Sequence, residues 1–202
     1  MPARPASPAP ASKERRKAAF LDRDGTLIVE REGFIVSPRQ IRLMNGAGRA
    51  IRALNDAGYV VVILTNQSAI ARGLLDERRL DQIHSELRSR LRRHGARIDA
   101  IYYCPHHPSL GRGRYRRPCR CRKPGRGMLR RAIREWGLSE RESFLVGDDL
   151  RDLLLTEGSP IRPVLVTTGK GGAARAAAKR RFGRRLRVEP NLAAAVASQL
   201  ER

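Results

Sequence analysis

The chain is short of cysteine, of aromatic rings, of lysine and of negative charge, and it has no long apolar run. Cysteine occurs three times in 202 residues, and two of the three are separated by a single residue. An odd count at that spacing argues against a disulfide framework and for a reducing, cytoplasmic compartment. No apolar stretch approaches the ~20 residues of a membrane span, so no membrane partner is expected. The start of the chain is rich in Pro and Ala without an apolar core. Residues 1–14 are therefore expected to be a disordered tail rather than a secretory signal. Aromatic residues make up 4%, and no aromatic-interleaved RNA-binding motif accompanies the charge.

Acidic residues number 20 against 42 basic ones, a net charge of +22. Such an excess commonly marks a polyanion partner. Only five of the 42 are Lys, in a chain also rich in Ala, Gly and Pro, which points partly to coding bias. The basic residues gather at 112–134 and 170–187. The first cluster surrounds a candidate site, where it would attract an anionic substrate; the second is expected to be a solvated surface. A nucleic-acid-associated role stays open only as a minor alternative.

The apolar pattern predicts one α/β domain over residues 15–202. Residues 18–22 read as a short buried strand ending in acid. Residues 60–64 form an unbroken β-branched run, the mark of a strand covered on both faces. Strands are also expected at 98–103, 144–146 and 164–166. Helices are expected at 46–58, at 76–94 with Leu80, Ile83, Leu87 and Leu91 on one stripe, at 128–136 and at 192–200. Alternation of this kind implies βαβ units, a mostly parallel sheet and a Rossmann-like three-layer fold. Ligands of such sheets bind beyond the carboxyl ends of the strands, which directs attention to three segments.

After the first strand stands Asp22-Arg23-Asp24-Gly25-Thr26. Asp22 can attack phosphorus, while Asp24 can protonate a leaving oxygen and later deprotonate water. A surface turn would use the same residues. An EF-hand calcium loop would need Glu at its twelfth position, and Gly33 stands there. After the second strand stands Thr65-Asn66-Gln67-Ser68, whose hydroxyl and N–H groups can hold a phosphoryl oxygen; Ser68 equally fits a helix N-cap. After residues 144–146 stands Gly147-Asp148-Asp149, with Asp152 further on. Carboxylates converging there with Asp22 could hold Mg2+. Lys123 would offset repulsion between an Asp nucleophile and a phosphate dianion, the plain alternative being a solvated surface charge. Cys104, His106, Cys119 and Cys121 offer three thiolates and an imidazole, a set that Zn2+ accepts tetrahedrally.

These segments, in this order, resemble the four motifs of haloacid-dehalogenase-type phosphatases. Thr65-Asn66-Gln67-Ser68 followed by Ile70-Ala71-Arg72-Gly73, the run Tyr102-Tyr103-Cys104-Pro105-His106-His107-Pro108, and Cys119-Arg120-Cys121-Arg122-Lys123-Pro124 are similar to the histidinol-phosphate and heptose-bisphosphate branch of that family. The likeness spans about residues 18–170. It implies a phospho-aspartate on Asp22, general acid–base work by Asp24, and Mg2+ on the carboxylates of Asp22 and Asp148 with the backbone carbonyl of Asp24. It also implies a structural Zn2+ on Cys104, His106, Cys119 and Cys121, with His107 a bystander or a substitute for His106. The metal would order residues 104–121, a zinc-stapled insertion with few apolar side chains of its own, and so place Arg122 and Lys123. Arg122 is assigned to the substrate. The expected enzyme is a phosphoric monoester hydrolase, monomeric, acting on a small phosphorylated metabolite: a heptose bisphosphate or, alternatively, histidinol phosphate or a related ester. Two departures from the heptose-type pattern stand out. Ile28 occupies an expected Asn, and Asp149 occupies an expected Lys, which removes one positive charge and adds a negative one.

Overall fold

A computed structural model describes residues 15–201; the expected tail at 1–14 lies outside the described residues. Among the described residues, six parallel strands form one sheet in the order β3-β2-β1-β4-β5-β6. They are β1 Ala18–Leu21, β2 Val60–Asn66, β3 Ala100–Cys104, β4 Phe144–Gly147, β5 Arg162–Val166 and β6 Arg187–Glu189. Every pairing is parallel. Each of the first five strands is followed by a crossover helix: α1 Ala47–Asp56, α2 Glu77–Arg92, α3 Gly127–Trp136, α4 Leu150–Leu153 and α5 Gly171–Phe182. A sixth, α6 Leu192–Leu200, closes the fold.

Strand side chains alternate between two cores. Ala19, Leu21, Val61 and Ile63 pack on one face with Ile51 and Leu54 of α1, Ile83 and Leu87 of α2, and Leu192 and Val196 of α6. Ala18, Phe20, Val62 and Leu64 pack on the other with Leu129 and Ala132 of α3, Leu153 of α4, and Ala178 and Phe182 of α5. The period of two along strands covered on both faces thus produces the three expected layers.

The strand order reverses direction between β1 and β4, the switch point where such sheets bind ligands. Asp22 follows β1, and its N–H donates to the Val146 carbonyl of β4 at 2.9 Å. Gly147 and Asp148 end β4 beside it. The remaining segment, Thr65-Asn66, belongs to β2 itself, which runs two residues further than its apolar pattern suggests.

Two elements differ from the sequence reading. The basic segment 170–187 is mostly a helix, α5, followed by the edge strand β6. Ala is the best helix former, and α5 packs on the second core through a narrow line of Ala174, Ala178 and Phe182 only. The third strand spans Ala100–Cys104 rather than 98–103. That shift pairs Cys104 with Asn66 and seats the first thiol against the catalytic edge of the sheet.

Candidate active site

The segments collect around a cavity of about 410 Å3 at the carboxyl edge of the sheet, which they line together with Arg72, Arg122, Arg151 and Lys170. Its floor is a buried charge cluster. Lys123 Nζ lies 2.5 Å from Asp22 Oδ1 and 2.6 Å from Asp152 Oδ1, and donates to the Leu64 carbonyl at 2.8 Å. Lys123 is only 4% exposed, which removes the reading as a solvated surface charge.

Oxygens of Asp22, Asp148 and Asp152 lie within 4.8 Å of one another. Three buried carboxylates against one ammonium leave excess negative charge. Burial pushes the Asp148 carboxyl up to about 7 and drives Asp22 well above the ordinary range. Lys123 opposes the shift at Asp22, while Asp152 and Asp148 add to it. A hard divalent cation suits such an oxygen set and would relieve that repulsion. Of the three, Asp152 is the most committed. Its second oxygen accepts the N–H of Asp149, closing a capping box at α4.

Asp148 is gripped from both sides. Lys170 N–H donates to its Oδ2 at 2.8 Å. A Cβ at Gly25 or Gly169 would stand 2.2 or 2.1 Å from that same oxygen, and both glycines have positive φ. Glycine at these two positions is therefore a condition for the carboxylate to reach the site.

Asp24 lines the same cavity but has its own partners. Arg23 forks onto it with Nε at 3.1 Å and a terminal nitrogen at 3.0 Å, and Gln67 Nε2 donates to it at 2.9 Å. The same Gln67 nitrogen reaches Thr65 Oγ1 at 2.8 Å, tying the second segment to the first. Asn66 clamps the Lys123 backbone: its amide accepts from Lys123 N–H at 3.0 Å and donates to the Lys123 carbonyl at 3.3 Å. Ser68 is not a helix N-cap. The residues after it form turns, and α2 is capped by Asp76.

Cys104, His106, Cys119 and Cys121 come together with all four donor atoms within 4.8 Å. Their S···S separations are 3.2 to 3.5 Å, and His106 Nδ1 lies 3.4 Å from Cys121 and 3.7 Å from Cys104. These are far longer than a disulfide of about 2.05 Å. They approach the roughly 3.8 Å edge of a tetrahedron with zinc–sulfur bonds of about 2.3 Å. Hydrogen bonding with Cys104, ahead of that with Cys119 and His106, draws the Cys121 thiol down to about 5, while the same hydrogen bond, with burial, pushes Cys104 up. The donor set fits zinc. His107 faces away, toward the cavity, with Nδ1 accepting from Leu110 N–H at 2.9 Å; it does not replace His106.

Three features escape a reading of the sequence. Asp152 holds Lys123, a role visible only once α4 and the loop meet. Arg23 is 1% exposed, although an Arg between two acids reads as a surface charge. The negative charge of Asp149 is answered locally, since Arg151 forks onto it at 2.6 and 3.0 Å. Arg151 and Lys170 then line the cavity near the position where a Lys was expected, so positive charge is kept there.

The fold and this site define a class. A model of the family described as HAD-hydrolase-like matches residues 120–195, and one described as polynucleotide kinase 3 phosphatase matches residues 17–157. The chain belongs to the haloacid-dehalogenase-like phosphatases. It is 42% identical over 157 residues to the D-glycero-beta-D-manno-heptose-1,7-bisphosphate 7-phosphatase of Haemophilus ducreyi, covering 77% of this chain and 85% of that one. It is 43% identical to the Pasteurella multocida enzyme of the same name, covering 77% and 84%. The crystal structure of D,D-heptose 1,7-bisphosphate phosphatase from B. bronchiseptica, complexed with magnesium and phosphate, superposes with a TM-score of 0.80 at 36% identity, covering 92% of this chain and 98% of that one.

Proposed function

We propose that this protein is a Mg2+-dependent phosphatase that removes the 7-phosphate of D-glycero-D-manno-heptose 1,7-bisphosphate through a phospho-aspartate on Asp22. The observation that carries the chemistry is the convergence of Asp22, Asp148 and Asp152 at the switch point of the sheet, with Lys123 held between Asp22 and Asp152. The substrate is drawn from relatives that bear that activity in their names. Asp22, Asp148 and the backbone carbonyl of Asp24 would hold Mg2+, which when bound neutralises phosphoryl charge and favours ionised carboxylates.

In the first half-reaction an Asp22 oxygen bonds to phosphorus as the bond from phosphorus to the C7 oxygen breaks. Asp24 gives its proton to that departing oxygen. In the second, Asp24 takes a proton from water as the water oxygen bonds to phosphorus. The bond to Asp22 breaks and inorganic phosphate leaves. Lys123, held by Asp152, stays charged throughout and stabilises the transferring oxygens together with Thr65 and the backbone at Asn66–Ser68.

We place the enzyme in the cytoplasm as a monomer. Its cysteines are free, and among the described residues the large exposed hydrophobics are the scattered Leu74, Leu110 and Leu200. Phosphate release is the direct test, measured on the heptose bisphosphate, histidinol phosphate and a 3′-phosphorylated oligonucleotide, with EDTA and then excess Mg2+. The bisphosphate is expected to be turned over at least ten times more efficiently than the others. Chelation should stop the reaction and Mg2+ restore it. Preference for the oligonucleotide would replace the heptose reading with a nucleic-acid 3′-phosphatase; full activity in EDTA would reject the mechanism.

Arg122 is the residue we assign to the second phosphate. One guanidinium nitrogen donates to the His106 carbonyl at 3.1 Å, fixing the side chain to the zinc loop, and Arg122 lines the cavity. A charge-assisted hydrogen bond is worth about 1.5–3 kcal/mol. Arg122→Ala should therefore raise KM for the bisphosphate by roughly 10- to 100-fold, with little change for a monophosphate and only a small change in kcat. An unaltered KM on every accepted substrate would remove Arg122 from recognition.

A further inference from the structure

The guanidinium of Arg23 is buried beside the reacting residue and pairs with Asp24. Its remaining terminal nitrogen points to His84 Nε2 at 3.2 Å. A guanidinium can only donate. Nε2 must therefore carry the lone pair, which makes His84 neutral with its proton on Nδ1. Burial holds the imidazole in that state, and Arg23 and Arg88 reinforce it. His84 belongs to the apolar stripe of α2, one turn after Leu80 and three residues before Leu87, and is 7% exposed. Its ring lies 5.9 Å from that of Tyr103.

We infer that His84 is a positioning residue for the general acid Asp24 and acts through Arg23. Because the guanidinium is planar, anchoring one nitrogen on His84 fixes the plane of the fork that the others make on Asp24. That fork loads the two carboxylate oxygens unequally. Oδ2 receives two donors, Arg23 Nε at 3.1 Å and Gln67 Nε2 at 2.9 Å. Oδ1 receives a single donor at 3.0 Å. Oδ1 is thus the oxygen with a position left for the travelling proton. Its O–H bond breaks as the leaving oxygen takes the proton, and the negative charge left behind falls on a carboxylate already held by Arg23 and Gln67. In the second half-reaction Oδ1 takes the proton back from water.

The inference rests on Asp24 being the general acid, and the leaving group separates that premise from the role of His84. A poor leaving group such as an alkoxide needs the proton; 4-nitrophenolate does not. His84→Ala and His84→Gln are compared with wild type on 4-nitrophenyl phosphate and on the best alkyl phosphate that wild type accepts, with zinc content and Tm recorded for each protein. Gln is chosen because its Oε1 supplies an acceptor where Nε2 stands. His84→Ala is expected to lose about 10- to 100-fold in kcat on the alkyl ester, as misplacement by about an ångström does, with KM nearly unchanged and less than about a threefold loss on the aryl ester. His84→Gln should recover most of the alkyl activity. An equal loss on both esters, no loss on either, or no recovery with Gln in a folded protein would overturn the role of His84. Asp24→Asn serves as the control. If it shows no leaving-group dependence, the general-acid assignment itself fails, and the inference falls with it.

Discussion

Asp22→Asn is expected to lose turnover by on the order of 10⁴-fold or more, together with any acid-stable, hydroxylamine-labile phosphoenzyme. An amide oxygen is a poor nucleophile toward phosphorus, and no neighbouring carboxylate is free to replace it: Asp152 is bound to Lys123 and to the Asp149 N–H, and Asp148 to the Lys170 N–H. The same substitution should leave the protein folded and, without Mg2+, somewhat more stable. Lys123 keeps Asp152 and the Leu64 carbonyl as partners, so no buried charge is orphaned. What disappears is one of three crowded carboxylates, the one whose ionisation burial most disfavours. A gain of about 1 kcal/mol corresponds to roughly 2–4 °C in Tm for a chain of this length. Raised stability with abolished activity is the signature of a site that stores electrostatic strain for function. Near wild-type activity in the purified variant would overturn the phospho-aspartate mechanism. A large fall in Tm would mean that Asp22 serves the fold.

The residues proposed for the chemistry were legible because the fold exposes them in sequence. A buried parallel strand has an apolar signature, and the residues just after such a strand stand at the carboxyl edge of the sheet. Asp22, Thr65 and Asp148 could each be found in that way, and the Cys/His spacing marked the metal cluster. The supporting contacts were hidden for physical reasons. The bond from Asp152 to Lys123 joins positions far apart in the chain and depends on the capping box of α4. Arg23 reads as exposed because a lone Arg almost never goes inside; only the pairing with Asp24 and His84 makes its burial tolerable. The one available signal was a His inside the apolar stripe of α2, at a position the period assigns to the core. Helix α5 left little periodic trace because its core-facing line is mostly Ala, set among further Ala, Gly and basic residues.

Zinc removal is expected to disable the enzyme without unfolding the sheet. Purified protein should contain about one zinc per chain, and a thiol-reactive mercurial should release it in step with loss of activity that added Mg2+ cannot restore. Residues 105–118 contribute no buried side chain to either core, so the loop has almost no hydrophobic means of ordering itself. Its ends are the strand-terminal Cys104 and the pair Cys119 and Cys121, and two residues beyond Cys121 stands Lys123. Without the metal, three sulfurs packed within 3.5 Å lose the cation that would hold them together as thiolates, and the segment leading into Lys123 loses its fixed end. Asn66 alone then holds the Lys123 backbone. A displacement of about an ångström at such a group costs on the order of 10²-fold in rate, so Cys121→Ser and Cys119→Ser should each fall at least that far in kcat. Tm should drop by several degrees. The cores are built mainly from residues of the sheet, its helices and loops other than 105–118, with Cys119 and Cys121 packed against one of them, so far-UV circular dichroism should change little. Zinc-free protein that keeps full activity would show that the loop orders itself by other contacts and that the Cys/His cluster does not position Lys123.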